Sequence, residues 1–219
     1  MSTVLITGAN RGIGLELCRQ YKQRNDRVIA VCRQSSSELN ALDVEVRDGV
    51  DVTEEGSVNT FASALQGVKL DTLINNAGIL SSETLASLDF DYIRRQFEVN
   101  TLGPLRVTVA LLKCLKPGSK VAIVSSRMGS IADNTSGGYY GYRMSKAAVN
   151  MAGVSLAQDL HERGIAVVLL HPGMVATEMT GRTGIPPEEA ASGLIARIDE
   201  VDLQHSGYFW HASGERLSW

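Results

Sequence analysis

Short apolar runs, rich in β-branched residues and bounded by glycine or polar residues, recur along the chain. Such runs predict buried strands, here at residues 3–7, 27–33, 44–46, 69–75, 120–126, 165–170 and 206–212. Longer amphipathic segments separate them and predict helices. Regular alternation of strands and helices is typical of an α/β protein with a mostly parallel sheet and right-handed crossovers. We therefore expect residues 1–219 to form one doubly wound Rossmann domain with six or seven strands.

Helices are expected after the first strand and at residues 54–65, 88–113, about 143–163 and 188–199. The long segment 88–113 contains Gly103-Pro104, and proline lacks the N–H that a continuous helix needs. We predict a kink or local break there, close to Asn100. Glycine and proline also mark a short loop at about 178–190, before the last helix.

Composition narrows the classes of protein. The chain has 219 residues and a net charge of −3, which suits one globular domain and provides no basic surface for nucleic acid. Its apolar runs are too short for a bilayer, so we expect no membrane partner, and residues 1–7 enter a strand without a charged leader. We expect a cytoplasmic protein. The three cysteines lie among apolar neighbours and predict buried thiols, with neither a disulfide nor a metal site, at Cys18, Cys32 and Cys114.

A glycine-rich turn joins the first strand to the first helix. Its glycines are Gly8, Gly12 and Gly14, in the spacing G-x-x-x-G-x-G. Glycine permits tight backbone geometry, and the helix N-terminus offers free N–H groups and a positive dipole end to a pyrophosphate. The turn therefore indicates a dinucleotide site. A plain turn between strand and helix is the alternative.

Arg33 stands at the end of the second strand and bears on the choice of dinucleotide. An NAD site usually carries an acidic residue near this place for the ribose 2′-hydroxyl, whereas arginine accommodates a 2′-phosphate. Arg11, inside the glycine turn, adds a second positive charge. We predict a preference for NADP(H), with NAD(H) as the other candidate. The alternative for Arg33 is a solvated loop residue.

Tyr142 and Lys146 lie one helical turn apart, on one face of the predicted helix. An ammonium beside a phenol favours the phenolate and should lower the tyrosine pKa from about 10. Such a tyrosine is a candidate general acid and base. The alternative is a pair on a solvated helix face. Polar groups at the carboxyl ends of other strands, among them Asn76 and Ser126, would gather where parallel sheets bind ligands.

Taken together, these motifs stand in the order found in the short-chain dehydrogenase/reductase family, which the chain resembles over nearly its whole length. The quoted matches are Thr7-Gly8-x-x-x-Gly12-Ile13-Gly14, Asn75-Asn76-Ala77-Gly78, Asn100, Ser126, Tyr142-x-x-x-Lys146 and Pro172-Gly173-x-Val175-x-Thr177. The brevity of the chain, its two arginines and its C-terminal segment are most similar to the C-factor and sniffer type of carbonyl reductases.

The resemblance implies catalytic roles. Tyr142 would exchange a proton with the substrate oxygen, and Lys146 would lower its pKa and bind the nicotinamide ribose. Ser126 would hold the substrate oxygen, and Asn100 would carry a water that links Lys146 to solvent. Ser125 is the competing serine, but the residues that follow Ser126 match the family better. Ser126 and Tyr142 also lie further apart than is common, and the extra residues fit a loop at 134–138.

The resemblance also implies how a dinucleotide would be held. The pyrophosphate and adjacent ribose would contact the glycine turn, at Gly8, Asn10, Arg11, Gly12, Ile13 and Gly14. Asp51 would meet the adenine, and the adenosine side would contact Asn76, Ala77 and Gly78. The nicotinamide would be fixed by the segment with Pro172, Gly173, Val175 and Thr177. The short loop at 178–190 would cover the substrate, which suggests an open or permissive pocket.

Two functions follow as hypotheses. The first is NADPH-dependent reduction of a small or medium aldehyde, ketone or quinone, or the reverse oxidation of an alcohol. The second is a dinucleotide-binding signalling or regulatory protein of C-factor type, in which turnover is incidental. We also expect a homodimer or homotetramer, because the helical segments 88–113 and 142–163 are apolar on more than one face and family members commonly pair through them.

Overall fold

The computed structural model describes all residues from Met1 to Trp219. Seven parallel strands form one sheet in the order β3-β2-β1-β4-β5-β6-β7. The strands are β1 Thr3–Thr7, β2 Arg27–Val31, β3 Glu45–Arg47, β4 Leu70–Asn75, β5 Leu115–Val124, β6 Ala166–His171 and β7 Phe209–His211. The order reverses beside β1, as in doubly wound proteins. The predicted fold class is confirmed.

Helices cover both faces of this sheet. They are α1 Gly12–Gln23, α2 Ser37–Asn40, α3 Glu55–Ala64, α4 Phe90–Phe97, α5 Gly103–Ala110, α6 Tyr140–His161 and α7 Pro187–Glu200. Because successive strand residues point to opposite faces, β1 contributes to two cores. Leu5 packs in the core that contains α3, α5 and α6. Val4 and Ile6 pack in the core that contains α1 and α7. All three cysteines are buried, as predicted.

The predicted helix over 88–113 is broken. Between α4 and α5, residues Glu98–Leu102 form a π-helical turn, in which the Gly103 N–H donates to the Glu98 carbonyl. Pro104 cannot donate a backbone hydrogen bond, so the chain widens just before it. The predicted break is confirmed, although the irregular turn comes before Gly103 and includes Asn100 itself.

Several boundaries differ from the predictions. Helix α6 begins at Tyr140 and not at 143, and the preceding residue Tyr139 has a left-handed conformation with φ of 51°. Strand β7 has only three residues, and β5 starts at Leu115 with a register shift against β4. The short helix α2, capped by the Ser36 hydroxyl, was not predicted, because one turn leaves no periodic pattern. No helix in the chain is both long enough and apolar enough to cross a membrane.

Candidate active site

The glycine turn packs directly on the segment that follows β4. Gly8 has φ of +66°, and a Cβ there would lie 2.8 Å from the Ala77 Cα. The Asn76 side chain donates to the carbonyls of Thr7 at 3.0 Å and Gly8 at 3.2 Å. Thr7 in turn accepts hydrogen bonds from the N–H groups of Asn76 and Ala77. The amide of Asn76 thus braces the turn and does not point freely to a ligand.

Helix α1 begins without a cap of its own. Arg11 is its N-cap residue in extended conformation, no side chain bonds to the first-turn N–H groups, and no acidic residue lies in that turn. Free N–H groups at the positive end of a helix favour an anion. The chemistry of this turn therefore fits the pyrophosphate of a dinucleotide. The Arg11 guanidinium is exposed and pairs with the Glu178 carboxylate at 2.8 Å, which ties the turn to the 178–190 loop.

Arg33 lies exposed just after β2, at the same edge of the sheet. Partial burial opposes ionisation of Asp51, but two hydrogen bonds from Thr53 and the charges of Arg33 and Arg95 hold the pKa of Asp51 below its usual range. Arg33 and Asp51 are therefore near one another, as the cofactor hypothesis requires. Arg95, on α4, joins them and was missed by sequence reasoning.

The segment after β6 lies against the glycine turn. A side chain at Gly12 would come 3.1 Å from the Thr177 methyl group. Val175 is buried and pairs with Ile185, whose N–H donates to the Met174 carbonyl at 2.8 Å. The predicted nicotinamide contacts, Val175 and Thr177, are thus beside the predicted pyrophosphate contacts.

Tyr142 lies in the first turn of α6, with 9% of its surface exposed. Burial raises the pKa of Tyr142 to about 12, and a hydrogen bond with Ser126 offsets only part of this. The predicted lowering of the tyrosine pKa is therefore wrong for this arrangement. The physical reason is desolvation, which penalises the phenolate more than its neighbours stabilise it.

Lys146 is also buried, with 5% of its surface exposed. Its ammonium donates to the Val124 carbonyl at 2.9 Å and lies 5.7 Å from the centre of the Tyr142 ring. Burial lowers the pKa of Lys146 to about 8. The pair is therefore no solvated helix face, which removes the alternative interpretation of this motif.

Asn100 is almost fully buried in the π-helical turn. Its amide accepts from the Ile79 N–H at 2.8 Å and donates to the Ile79 carbonyl at 2.9 Å and to Ser145 Oγ at 3.0 Å. A side chain at Gly78 would lie 3.4 Å from Asn100 Oδ1 and 3.8 Å from Lys146 Nζ. Asn100, Gly78 and Lys146 are therefore neighbours. The role of Asn100 in holding a water stays a prediction.

The two adjacent serines differ in their surroundings. Ser125 Oγ donates to Asn150 Oδ1 at 2.5 Å, and Asn150 lies in the middle of α6. Ser126 Oγ accepts from the Met128 N–H at 3.2 Å and lies close enough to Tyr142 to lower the pKa of its phenol. The geometry favours Ser126, and not Ser125, as the partner of Tyr142.

Comparison with known proteins identifies the family. The model of the short chain dehydrogenase family matches residues 2–186. The chain belongs to the short-chain dehydrogenase family. Its relatives include the 1-hydroxy-2-glutathionyl-2-methyl-3-butene dehydrogenase of Rhodococcus sp. (strain AD45), 48% identical over 226 residues and 100% of both chains. Another is the C-signal of Myxococcus xanthus, 44% identical over 166 residues, which are 74% of this chain and 100% of that protein.

Solved structures of carbonyl reductases share the whole fold. The NADPH-bound carbonyl reductase from chicken fatty liver has a TM-score of 0.92 and 29% identity, covering 100% of this chain and 99% of the other. The carbonyl reductase Sniffer of D. melanogaster also has a TM-score of 0.92, with 27% identity and 100% coverage of both. The resemblance to the C-factor and sniffer type is confirmed. The chain is an oxidoreductase of the short-chain dehydrogenase family.

Some residues around the site escaped sequence reasoning. Arg127, which follows Ser126, pairs with Asp133 at 3.0 Å and with Glu215 at 2.8 Å, and so joins the 131–139 loop to the C-terminal segment. Glu83 and Gln96 form a buried polar cluster against α6. Arg127 itself belongs to the run after Ser126 that supports the choice of that serine, but no local pattern reveals partners this distant in the chain.

Proposed function

We propose that this short-chain dehydrogenase uses NADP(H) to reduce the carbonyl of a small or medium aldehyde, ketone or quinone, or to oxidise the corresponding alcohol. The observation that carries the proposal is the meeting of Ser126, Tyr142 and Lys146 at one edge of the sheet, beside the uncapped start of α1. Ligands of open parallel sheets bind at that edge.

The chain's own residues would hold the cofactor at two places. The first-turn N–H groups of α1 suit its pyrophosphate, and exposed Arg33 suits its 2′-phosphate. The other proposed contacts are Gly8, Asn10, Arg11, Gly12, Ile13, Gly14, Asp51, Asn76, Ala77, Gly78, Pro172, Gly173, Val175 and Thr177, with Tyr142 and Lys146 at the ribose. When bound, a nicotinamide supplies or accepts the hydride.

Proton transfer would fall to Tyr142. With a pKa of about 12 the phenol keeps its proton at neutral pH, so it is ready to donate to the oxygen of a carbonyl under reduction. Ser126 Oγ offers a second neutral donor to the same oxygen. Lys146, held by the Val124 carbonyl, provides the positive charge that stabilises the phenolate left behind. Asn100 fixes the loop at Ile79 and helix α6 around it.

The direction of reaction and the substrate are open to a specific alternative. The relative from Rhodococcus, 48% identical over the full chain, is named as a dehydrogenase of a glutathionyl-substituted alcohol. Oxidation of a hydroxyl in a glutathione thioether is therefore the second substrate class that we would assay. Ser126, Tyr142, Lys146 and Asn100 would also carry out this oxidation, with Tyr142 accepting the proton of the hydroxyl.

A regulatory role is the second candidate function. It is favoured by the 44% identity to the C-signal of Myxococcus xanthus. The two functions separate in a Tyr142→Phe variant tested in cells. A phenotype that survives this substitution would support a regulatory protein, and a phenotype that is lost with it would support the enzyme.

The experiment that tests the enzymatic proposal is a titration with NADPH and with NADH, followed by a panel of carbonyl substrates read by NADPH consumption. We expect tight NADPH binding, weak NADH binding and turnover of at least one carbonyl. Equal or reversed affinities would overturn the assignment of Arg33. Binding without turnover in either direction would favour the regulatory candidate.

We also propose that the protein is a homodimer or homotetramer. Val109 on α5, and Met144 and Met151 on α6, are large apolar side chains that stand exposed on the helices expected to pair. Covering them would remove apolar surface from water. Light scattering at micromolar concentration should give at least twice the monomer mass, and a monodisperse monomer would contradict this.

A further inference from the structure

Glu83 is a buried carboxylate in the loop between β4 and α4, with 3% of its surface exposed. It accepts hydrogen bonds from Gln96 Nε2 at 2.6 Å, from the Gly141 N–H at 3.3 Å and from the Ser81 hydroxyl. Gln96 is fully buried and also accepts from the Ser81 N–H at 3.3 Å. Buried polar groups of this kind are costly unless all are satisfied, and here the donors and acceptors match.

The cluster caps the N-terminus of helix α6. Tyr139, its N-cap residue, provides no side-chain cap. Glu83 takes over this function from a distant part of the chain, because its backbone carbonyl accepts from the Tyr139 N–H at 2.8 Å and its carboxylate accepts from the Gly141 N–H. A negative charge at a helix N-terminus is also favoured by the helix dipole.

The fit between the cluster and α6 is tight. A Cβ on Gly141 would overlap Gln96 Nε2 and would lie 2.9 Å from Ile93 Cγ1. The helix therefore rests directly on the amide of Gln96, with no room for a side chain. Tyr142 is the next residue, so the cluster determines where the first turn of α6 places the phenol relative to Ser126.

We propose that Glu83 and Gln96 are positioning residues, which fix the first turn of α6 and so hold the Tyr142 hydroxyl opposite Ser126. The inference rests on the proposed function, in which Tyr142 carries the proton. With glutamine at position 96, a carboxylate is needed at position 83, because both of its oxygens accept hydrogen bonds, one of them from Gln96. Glutamine at position 83 would place its NH₂ group opposite one of these N–H donors, so that two donors would face each other.

This requirement defines a rescue experiment. The variant Glu83→Gln should lower kcat by about 10- to 100-fold while the Kd for NADPH changes by less than about twofold, because small misplacements of a reacting group are costly. The double variant Glu83→Gln with Gln96→Glu restores one carboxylate and one amide with their positions exchanged. It should recover most of the lost kcat. Unchanged kcat in Glu83→Gln, or a folded double variant no better than the single one, would overturn the proposal.

Glu83→Asp tests the same proposal if Glu83→Gln does not fold. It keeps the charge but withdraws the carboxylate by one methylene from the Gly141 N–H. We expect a folded protein with kcat lowered by about tenfold, since the cap is displaced and not removed. A folded Glu83→Asp enzyme with the kcat of the unmodified protein would overturn the proposal.

Hydrogen exchange gives a readout that does not need turnover. In Glu83→Gln the amides of Gly141 and Tyr142 should exchange faster than in the unmodified protein, while those in the middle of α6 keep their protection. Unchanged exchange at Gly141 would overturn the positioning role. If exchange at Gly141 is faster in Glu83→Gln but the unmodified protein reduces no carbonyl, the positioning role is supported and only the proposed function is contradicted.

Discussion

The two halves of the site differ in how their polar groups are held. Around Tyr142, Lys146 and Asn100 the polar groups are buried against the protein, and burial shifts the pKa values of Tyr142 and Lys146. Around Arg33 and Arg11 the charges are exposed, and one of them is paired with Glu178 across a loop. The first group, which we propose carries out the chemistry and call the chemical half, is set by desolvation and fixed geometry. The second group, which we propose binds the nucleotide and call the nucleotide half, carries charges that act in water, where salt screens them.

Removal of the phenolic hydroxyl should have the largest effect. We expect Tyr142→Phe to lower kcat by about 10²- to 10⁴-fold, because it deletes the general acid and leaves the ring. Nucleotide affinity should change little. The measurement is steady-state reduction of the best carbonyl in the panel, with Tyr140→Phe on the same helix as the matched control. A variant that keeps a tenth or more of the activity would break the assignment of the chemical half.

Burial of Lys146 predicts a pH-dependent stability. Its pKa falls from 10.5 to about 8 on folding, so folding favours the neutral amine. Above pH 10.5 the amine is neutral in both the folded and the unfolded state, so the stability of the fold is highest there. This stability is lost progressively as the pH falls through 8, because the unfolded state then binds the proton more strongly. Between pH 8 and 10, the free energy of unfolding of the unmodified protein should rise by about 1–3 kcal/mol relative to that of Lys146→Met.

Urea unfolding at several pH values would measure this difference. Lys113→Met serves as the control, because Lys113 is exposed. Parallel curves for the unmodified protein and Lys146→Met would show that Lys146 is charged and compensated in the folded state, and the contrast between the two halves would weaken.

Arg33 tests the nucleotide half. Loss of a charged contact to a 2′-phosphate should raise the Kd for NADPH by about 10- to 100-fold in Arg33→Ala and leave that for NADH nearly unchanged. The discrimination should shrink as salt is raised. Arg11→Ala is the comparison. Because Arg11 is already paired with Glu178, its loss should reduce the preference for NADPH less than the loss of Arg33. If the preference for NADPH over NADH survives Arg33→Ala, other residues must provide it, and Arg95 would be the next to test.

The ion pair between Arg11 and Glu178 should have the smallest effect. Both side chains are more than half exposed, at 69% and 63%. Exposed pairs contribute little, so Glu178→Gln should change the free energy of unfolding by less than about 1 kcal/mol. Thermal or urea unfolding would measure it. A larger loss would mean that the loop at 178–190 is anchored through Arg11, and that the nucleotide half is less open than its exposure suggests.

Much of the fold could be predicted because it is encoded locally. The apolar run Thr3–Thr7 is a strand at the predicted bounds, and the predicted helix over 54–65 forms as Glu55–Ala64. Periodicity and turn residues suffice for such elements. Boundaries failed where a contact from elsewhere decided them. Helix α6 starts earlier than its own pattern indicates, because Glu83 closes its first turn from 58 residues away.

The site divides in the same way. The sequence alone determined which residues could do the chemistry, since a glycine turn after a strand and a tyrosine one turn before a lysine are local patterns. The resemblance to the family already favoured Ser126 over Ser125, and the tertiary structure supplies the physical reason, since Ser125 is bonded to Asn150. Only the tertiary structure decided that the tyrosine pKa rises where proximity to lysine predicted a fall. The reason is that a local pattern reports neighbours along the chain, whereas desolvation and hydrogen bonding depend on everything packed around a group once the chain has folded.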